Sequence, residues 1–180
     1  MDGMLEIEQV DEYAIDAATA SQIGQLLEES FPAYPQDRIY FRQVPTFRLI
    51  VKSEDEVVGQ VGVDFRIMNN DSQLLRTFGI VDLCVKESAR HKGIAASLLD
   101  RVELIGRKHG IDFLILWAQD KGFYEKRGFR EVNNRCRWLL IQNHQSHGLV
   151  HRRFGEGLMV LRLGEKEWRT GTLDYLGHIF

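Results

Sequence analysis

Between Ile80 and Ala96 the chain reads Ile-Val-Asp-Leu-Cys-Val-Lys-Glu-Ser-Ala-Arg-His-Lys-Gly-Ile-Ala-Ala. An apolar run ending at Val85 passes through a polar turn into Arg90-x-x-Gly93-x-Ala95, which opens an amphipathic stretch. A junction of this kind gathers unpaired backbone N–H groups where the helix dipole favours negative charge. Gly93 admits an anion's oxygens close to the backbone, Ala95 keeps the helix start small, and Arg90, His91 and Lys92 add positive charge. That chemistry suits a diphosphate. A purely structural Gly93, easing a tight turn, is the competing reading, and the adjoining charge run argues against it. The motif is neither a P-loop nor a dinucleotide fingerprint: no Gly-Lys-Ser/Thr follows, and the second and third glycines are missing.

The elements that must hold this junction follow from periodicity. Leu5 to Val10 alternates as a half-buried strand, and Asp16 is placed to cap a helix that turns Ile23, Leu26 and Leu27 inward until Phe31-Pro32 stops it. A short helical piece is expected around Arg38 to Gln43, bringing Tyr40 and Phe41 near that break. Plain packing is the first expectation for these aromatics, with lining of an acceptor pocket the alternative. Thr46 to Lys52, Val57 to Met68 and Gln73 to Val85 read as an antiparallel meander, turned at Ser53-Glu-Asp-Glu56 and Asn69-Asn-Asp71. Gly59 and Gly62 interrupt its middle strand, as a bulge or a close backbone approach requires. A helix from about Lys92 to His109 ends at Gly110, and Ile111 to Trp117 is a continuous apolar run, expected to lie parallel to the preceding strand. A short helix within Gln119 to Gly128, strand regions from Phe129 and over Arg137 to Gln142, and a last strand at Leu158 to Leu163 complete the order before the tail Glu165 to Phe180.

Bulk properties narrow the partners. One domain over residues 1–180 is expected from the length, and a formal net charge of -3 speaks against nucleic acid as the main partner. No segment approaches the roughly 18 apolar residues of a membrane span, and the N-terminus lacks the basic and apolar regions of a signal peptide. Cys84 and Cys136 form no disulfide framework, so a cytoplasmic setting is the simplest expectation. His144, His147 and His151 match no metal-site spacing, and no metal is expected.

The chain resembles the GNAT superfamily of acyl-CoA-dependent N-acetyltransferases. The likeness rests on Leu83-Cys-Val85, Arg90-His-Lys-Gly-Ile-Ala95 and Phe123-Tyr-Glu-Lys-Arg-Gly-Phe129, set in the order of elements above. It implies an α/β fold with a mixed central sheet of about seven strands and about four helices, splayed between the fourth and fifth strands. It implies acetyl-CoA as co-substrate. Leu83, Cys84 and Val85 would then pair with the pantetheine arm as an added strand, and Arg90, His91, Lys92, Gly93, Ile94 and Ala95 would hold the pyrophosphate. Tyr124 is the expected catalytic residue, because a phenol near the sulfur can supply a proton or a hydrogen bond to the departing thiolate. A backbone N–H at the Leu83–Val85 strand end would meet the oxyanion.

Relatives often carry an acid where this chain has Val81, and strand alternation turns Asp82 to the opposite face unless a bulge intervenes. Asp64, Asp120 and Asp174 remain alternatives, and the general base stays unassigned. Leu158-Met-Val-Leu161 with the Trp168- and Asp174-containing tail looks more loosely like aminoglycoside N-acetyltransferases, whose C-terminal residues help line the acceptor site; a tail packing a sheet edge is the alternative. The expected activity is acetyl transfer to the primary amine of a small molecule or peptide. A non-catalytic acyl-CoA-binding module of the same fold is the runner-up, and a ligand-free dimerisation protein the third reading. An exposed strand edge near the C-terminus leaves room for a homodimer.

Overall fold

The computed structural model of the protein describes residues 6–180. Among them the chain forms ten strands and three α-helices, in the order β1 (Ile7–Asp11), α1 (Ala17–Ser30), β2 (Phe47–Ser53), β3 (Glu56–Asn70), β4 (Gln73–Val85), α2 (Ile94–Lys108), β5 (Phe113–Trp117), α3 (Lys121–Glu125), β6 (Arg130–Glu131), β7 (Arg135–Gln142), β8 (Gln145–Arg153), β9 (Leu158–Arg162) and β10 (Leu173–His178). The expected α/β class with a mixed sheet holds, and the counts of about seven strands and four helices are corrected to ten and three. Leu5, expected at the start of the first strand, lies outside the described residues. The chain divides into two compact units. The first takes the chain up to Asp64 together with Val81–Val102, and the second Phe65–Ile80 together with Glu103–Phe180, so β3, β4 and α2 each contribute to both.

In the first unit β1 pairs antiparallel with β2, from Ile7↔Val51 to Asp11↔Phe47, and β2 antiparallel with β3, from Phe47↔Val63 to Ser53↔Glu56. Asp16 caps α1 as its sequence position suggests, its Oδ1 accepting from the Thr19 N–H at 2.9 Å. The buried face of α1 is Thr19, Ile23, Leu26 and Leu27, and the helix stops where Phe31, ahead of a proline, turns extended at φ -134°. Ile23, Leu26, Leu27, Tyr34, Ile50, Val57 and Cys84 form one buried cluster of this unit.

Residues 38–43 are bends rather than the expected helical piece. Their carbonyls are satisfied from side chains instead of from a helical ladder: Arg38 donates to the Tyr40 and Phe41 carbonyls, and Arg48 to that of Ile39. The two glycines of β3 mark close approach. A Cβ on Gly59 would lie 2.7 Å from Ile94 Cγ2, and one on Gly62 2.6 Å from Val81 Cγ2. Gly59 thereby lets the first residue of α2 settle directly on the sheet.

In the second unit β4 runs parallel to β5 through Thr77↔Phe113, Phe78↔Leu114 and Gly79↔Ile115. That ladder ends at Gly79↔Ile115, although β4 continues to Val85 and β5 to Trp117. β5 pairs antiparallel with β9 along its whole length, and β9 with β6. On the other side β3 pairs with β10 at Leu173↔Asn70, β10 runs parallel to β7, and β7 forms a hairpin with β8. The β3–β4 and β7–β8 hairpins close through residue pairs with positive φ, Asp71–Ser72 and Asn143–His144, the geometry of turns that match strand twist. The His144-to-His151 stretch is therefore a turn and a strand.

The tail does not cap a sheet edge. β10 lies between β3 and β7, and Trp168 ahead of it packs edge-on against Phe113 at 5.2 Å. The Phe180 ring sits against Gly79, where a Cβ would come within 2.4 Å of it. The core here includes Phe113, Ile115, Trp138, Val160, Leu173 and Tyr175. Both cysteines are free and buried. Among the described residues no helix is long and apolar enough to cross a membrane.

Candidate functional site

The junction after β4 has the geometry that its residue types suggest. A short 3-10 turn over Glu87–Ala89 brings the chain to Arg90, and both His91 (φ 61°) and Gly93 (φ 80°) take the left-handed conformation before α2 begins at Ile94. The first helical bond runs from the Ser97 N–H to the Gly93 carbonyl at 2.9 Å, so the N–H groups of Ile94, Ala95 and Ala96 have no intrahelical acceptor. A Cβ on Gly93 would meet nothing within 4 Å. Glycine is thus required there by the sign of φ and not by protein packing, and the space in front of it is open. Arg90, His91 and Lys92 are exposed around that space, while Ile94 is buried beneath and Ala95 half-buried.

The strand half of the junction is held from within. Cys84 is buried and Leu83 half-buried, and burial pushes the Cys84 thiol up to about 11, which keeps it protonated. The Lys86 N–H donates to the Val58 carbonyl at 2.9 Å, fixing the strand end on β3. Arg90 Nε donates to the Val85 carbonyl at 3.2 Å and so ties the turn back to the strand, leaving that carbonyl one lone pair for another donor.

Asp82 is where strand alternation fails. Its φ is +55°, a left-handed residue inside a strand, and this turns its carboxylate toward Tyr34, whose hydroxyl donates to Oδ2 at 2.6 Å. Gln60 Nε2 donates to the Asp82 carbonyl and is itself oriented by Arg48, whose Nη1 donates to Gln60 Oε1 at 2.9 Å. A trans peptide sets its N–H opposite its carbonyl, so the Leu83 N–H points away from Gln60. Arg48 is fully buried and neutralised by Glu12, with contacts of 2.7 and 3.0 Å. Burial raises the pKa of the Asp82 carboxyl, an effect partly offset by Tyr34, Arg48 and Arg42. The same burial, reinforced by the Asp82 charge, drives the Tyr34 hydroxyl far above its ordinary value.

Sequence reasoning missed Tyr34, Arg48 and Gln60. Gln60 beside Gly59 in an apolar strand was the only local signal, since a polar side chain at a core position needs a partner.

In the second unit Tyr124 stands on α3 between the rings of Phe123 and Phe129, at 5.1 and 5.6 Å. Its hydroxyl makes no hydrogen bond among the described residues, and burial, with the charge of Asp120, pushes its pKa up to about 12. It is a neutral donor at any physiological pH. Asp174 does not face an open acceptor site: Arg137 binds its Oδ2 through two nitrogens, and its Oδ1 accepts from the Leu176 N–H at 3.0 Å. Among the described residues no three His, Cys, Asp or Glu side chains gather as metal ligands would.

Residues 45–131 match the family model of the acetyltransferase (GNAT) domain, and the resemblance carried by the motifs holds. The chain has no match among curated protein sequences. In fold it is similar to the GNAT family N-acetyltransferase YhbS of Escherichia coli, solved with CoA, at a TM-score of 0.62, 20% identity, and 97% of this chain against 92% of that one. An aminoglycoside 6'-N-acetyltransferase complexed with coenzyme A gives a TM-score of 0.61 at 15% identity, covering 91% of this chain and 99% of that one. A GCN5-related N-acetyltransferase from Kribbella flavida gives 0.53 at 21% identity over 70% of this chain, which spans only 34% of that protein's length. At these identities the likeness is one of fold, and the fold is the GNAT fold.

Proposed function

We propose that this chain transfers an acetyl group from acetyl-CoA to a primary amine by direct attack, as a single catalytic domain acting in the cytoplasm without a metal. The observation that carries the reading is the open, left-handed Gly93 turn at the start of α2, with first-turn N–H groups free of intrahelical acceptors and the exposed Arg90, His91 and Lys92 around it. A diphosphate fits that cradle. The match to a GNAT domain and the fold shared with two CoA-bound structures support acyl-CoA as the donor.

In this reading Arg90 to Ala95 hold the pyrophosphate and Leu83 to Val85 receive the pantetheine amides. The Leu83 N–H, turned outward by the Asp82 bulge, is the donor for the oxyanion. Tyr124 is a weaker acid, by three to four pH units, than a thiol of ordinary pKa ~8.5. Full proton transfer to the thiolate is uphill, so Tyr124 donates a hydrogen bond to the sulfur as charge develops. The acceptor is a small molecule or a peptide amine.

The test follows thiol release from acetyl-CoA against a panel of amines, beside calorimetric binding of acetyl-CoA. Tyr124→Phe is expected to lower kcat roughly 10- to 100-fold while leaving acetyl-CoA affinity in place. Binding without turnover on any acceptor would favour a non-catalytic acyl-CoA module. Absence of acetyl-CoA binding would sink the proposal.

A further inference from the structure

Two arginines act on the Asp82 carboxylate, Arg48 and Arg42. Arg48 is matched by Glu12. Arg42 is different. It is half-buried, stacked at 5.0 Å over Phe41, and makes no hydrogen bond or ion pair among the described residues; Phe41 in turn lies edge-on against Tyr34 at 5.8 Å, the residue that holds Asp82. A partly desolvated guanidinium presents five N–H donors in a planar fork that matches a carboxylate, and leaving it without an acceptor is costly. On Asp82, Tyr34 occupies Oδ2, and no hydrogen bond to Oδ1 is found among the described residues. Of the two arginines whose charge acts on Asp82, Arg48 is neutralised by Glu12 and Arg42 has no ion-pair partner among the described residues.

We infer that the acceptor is an amine that also carries a carboxylate, of the amino-acid type, with its ammonium directed to Asp82 and its carboxylate to the Arg42 fork. The inference rests on the acetyl-transfer reading above and names the substrate class of that site. A polycationic acceptor meets no net attraction here, whereas a zwitterion finds a partner for each charge.

The chemistry balances on these groups. The ammonium gives a proton to Asp82 Oδ1, and burial raises the basicity of that carboxylate. The freed nitrogen lone pair forms the C–N bond at the thioester carbonyl. The C–S bond then breaks with its electron pair on sulfur, and the CoA thiolate takes its proton from solvent. The second proton of the attacking nitrogen is lost to water.

The experiment uses the full chain with acetyl-CoA and measures kcat/KM for glycine, aspartate, phenylalanine and lysine, each beside its own carboxamide, with an aminoglycoside as the polycation. The expected result is at least a tenfold preference for acid over amide. In Arg42→Gln that ratio falls to near one through a higher KM for the acid, and Arg42→Lys restores part of it. Amides used as well as acids by the wild type, or an Arg42→Gln variant that keeps the preference, overturns the inference. So does an aminoglycoside that outperforms every acid. Calorimetry with acetyl-CoA separates the two claims. Binding without acetylation of any acid overturns the acceptor class and leaves the donor standing, while no binding removes both.

Discussion

Replacing Arg48 with methionine keeps the side chain's length and apolar volume and removes every hydrogen bond that its guanidinium makes. Arg48 is fully buried, and its partners are the Glu12 carboxylate through two contacts of 2.7 and 3.0 Å, Gln60 Oε1 at 2.9 Å, and the Ile39 carbonyl. The Glu12 side chain is only 10% exposed, so the substitution leaves a nearly buried carboxylate without its cation. Breaking a buried pair from one side costs about 3–5 kcal/mol, because the remaining charge has neither partner nor water. That is a large share of the ~5–15 kcal/mol holding a typical domain together.

For a chain of this length each kcal/mol moves Tm by roughly 2–4 °C, so Arg48→Met is expected to lower Tm by ~6–20 °C. If the cost is the stranded charge, adding Glu12→Gln should recover at least half of it, although the double variant carries one more substitution. Urea unfolding of the wild type, the two single variants and the double variant gives the coupling directly. An Arg48→Met loss below about 1 kcal/mol would refute the argument. A double variant no more stable than Arg48→Met alone would do the same.

Gly93→Ala places a methyl group in the open space before α2 and forces a side-chain-bearing residue to φ 80°. Stability should fall by about 1–2 kcal/mol, with acetyl-CoA affinity reduced at least tenfold; a tight-binding variant would remove the turn from the donor site. Asp82→Asn tests the burial of that carboxyl. Because its pKa is raised in the fold, the protonated form's stability is complete below the ordinary value near ~4 and is lost as pH rises through the raised one. Asp82→Asn should therefore be more stable than the wild type at pH 7, by a margin that shrinks toward pH 4. A difference in Tm that stays flat, or grows as the pH falls, would contradict the assignment.

Whatever is encoded by neighbours in the chain was legible in the sequence. Gln73–Val85 reads as a strand with the limits it has, Asp16 caps α1 because its partner Thr19 is three residues away, and the Arg90–Ala95 turn declares itself through Gly93. Tyr124 falls on a short helix for the same reason. What depended on distant partners was not legible. The helical piece expected at residues 38–43 gave way because side chains from Arg38 and Arg48 took its carbonyls, and the tail became β10 because β3 and β7 flank it there.

The placement of Asp82 is the clearest case. Period-two alternation assigns it one face, but Gln60, 22 residues earlier, holds its carbonyl, and Tyr34, 48 residues earlier, holds its carboxylate. A one-residue break in strand register is a local irregularity that only such long-range hydrogen bonds can stabilise. Residues close in the chain are enough to specify the strand, the turn and the charge beside it. Which way the acid on that strand faces depends on folding, because the groups that hold it, Gln60 and Tyr34, come from parts of the chain that meet only then.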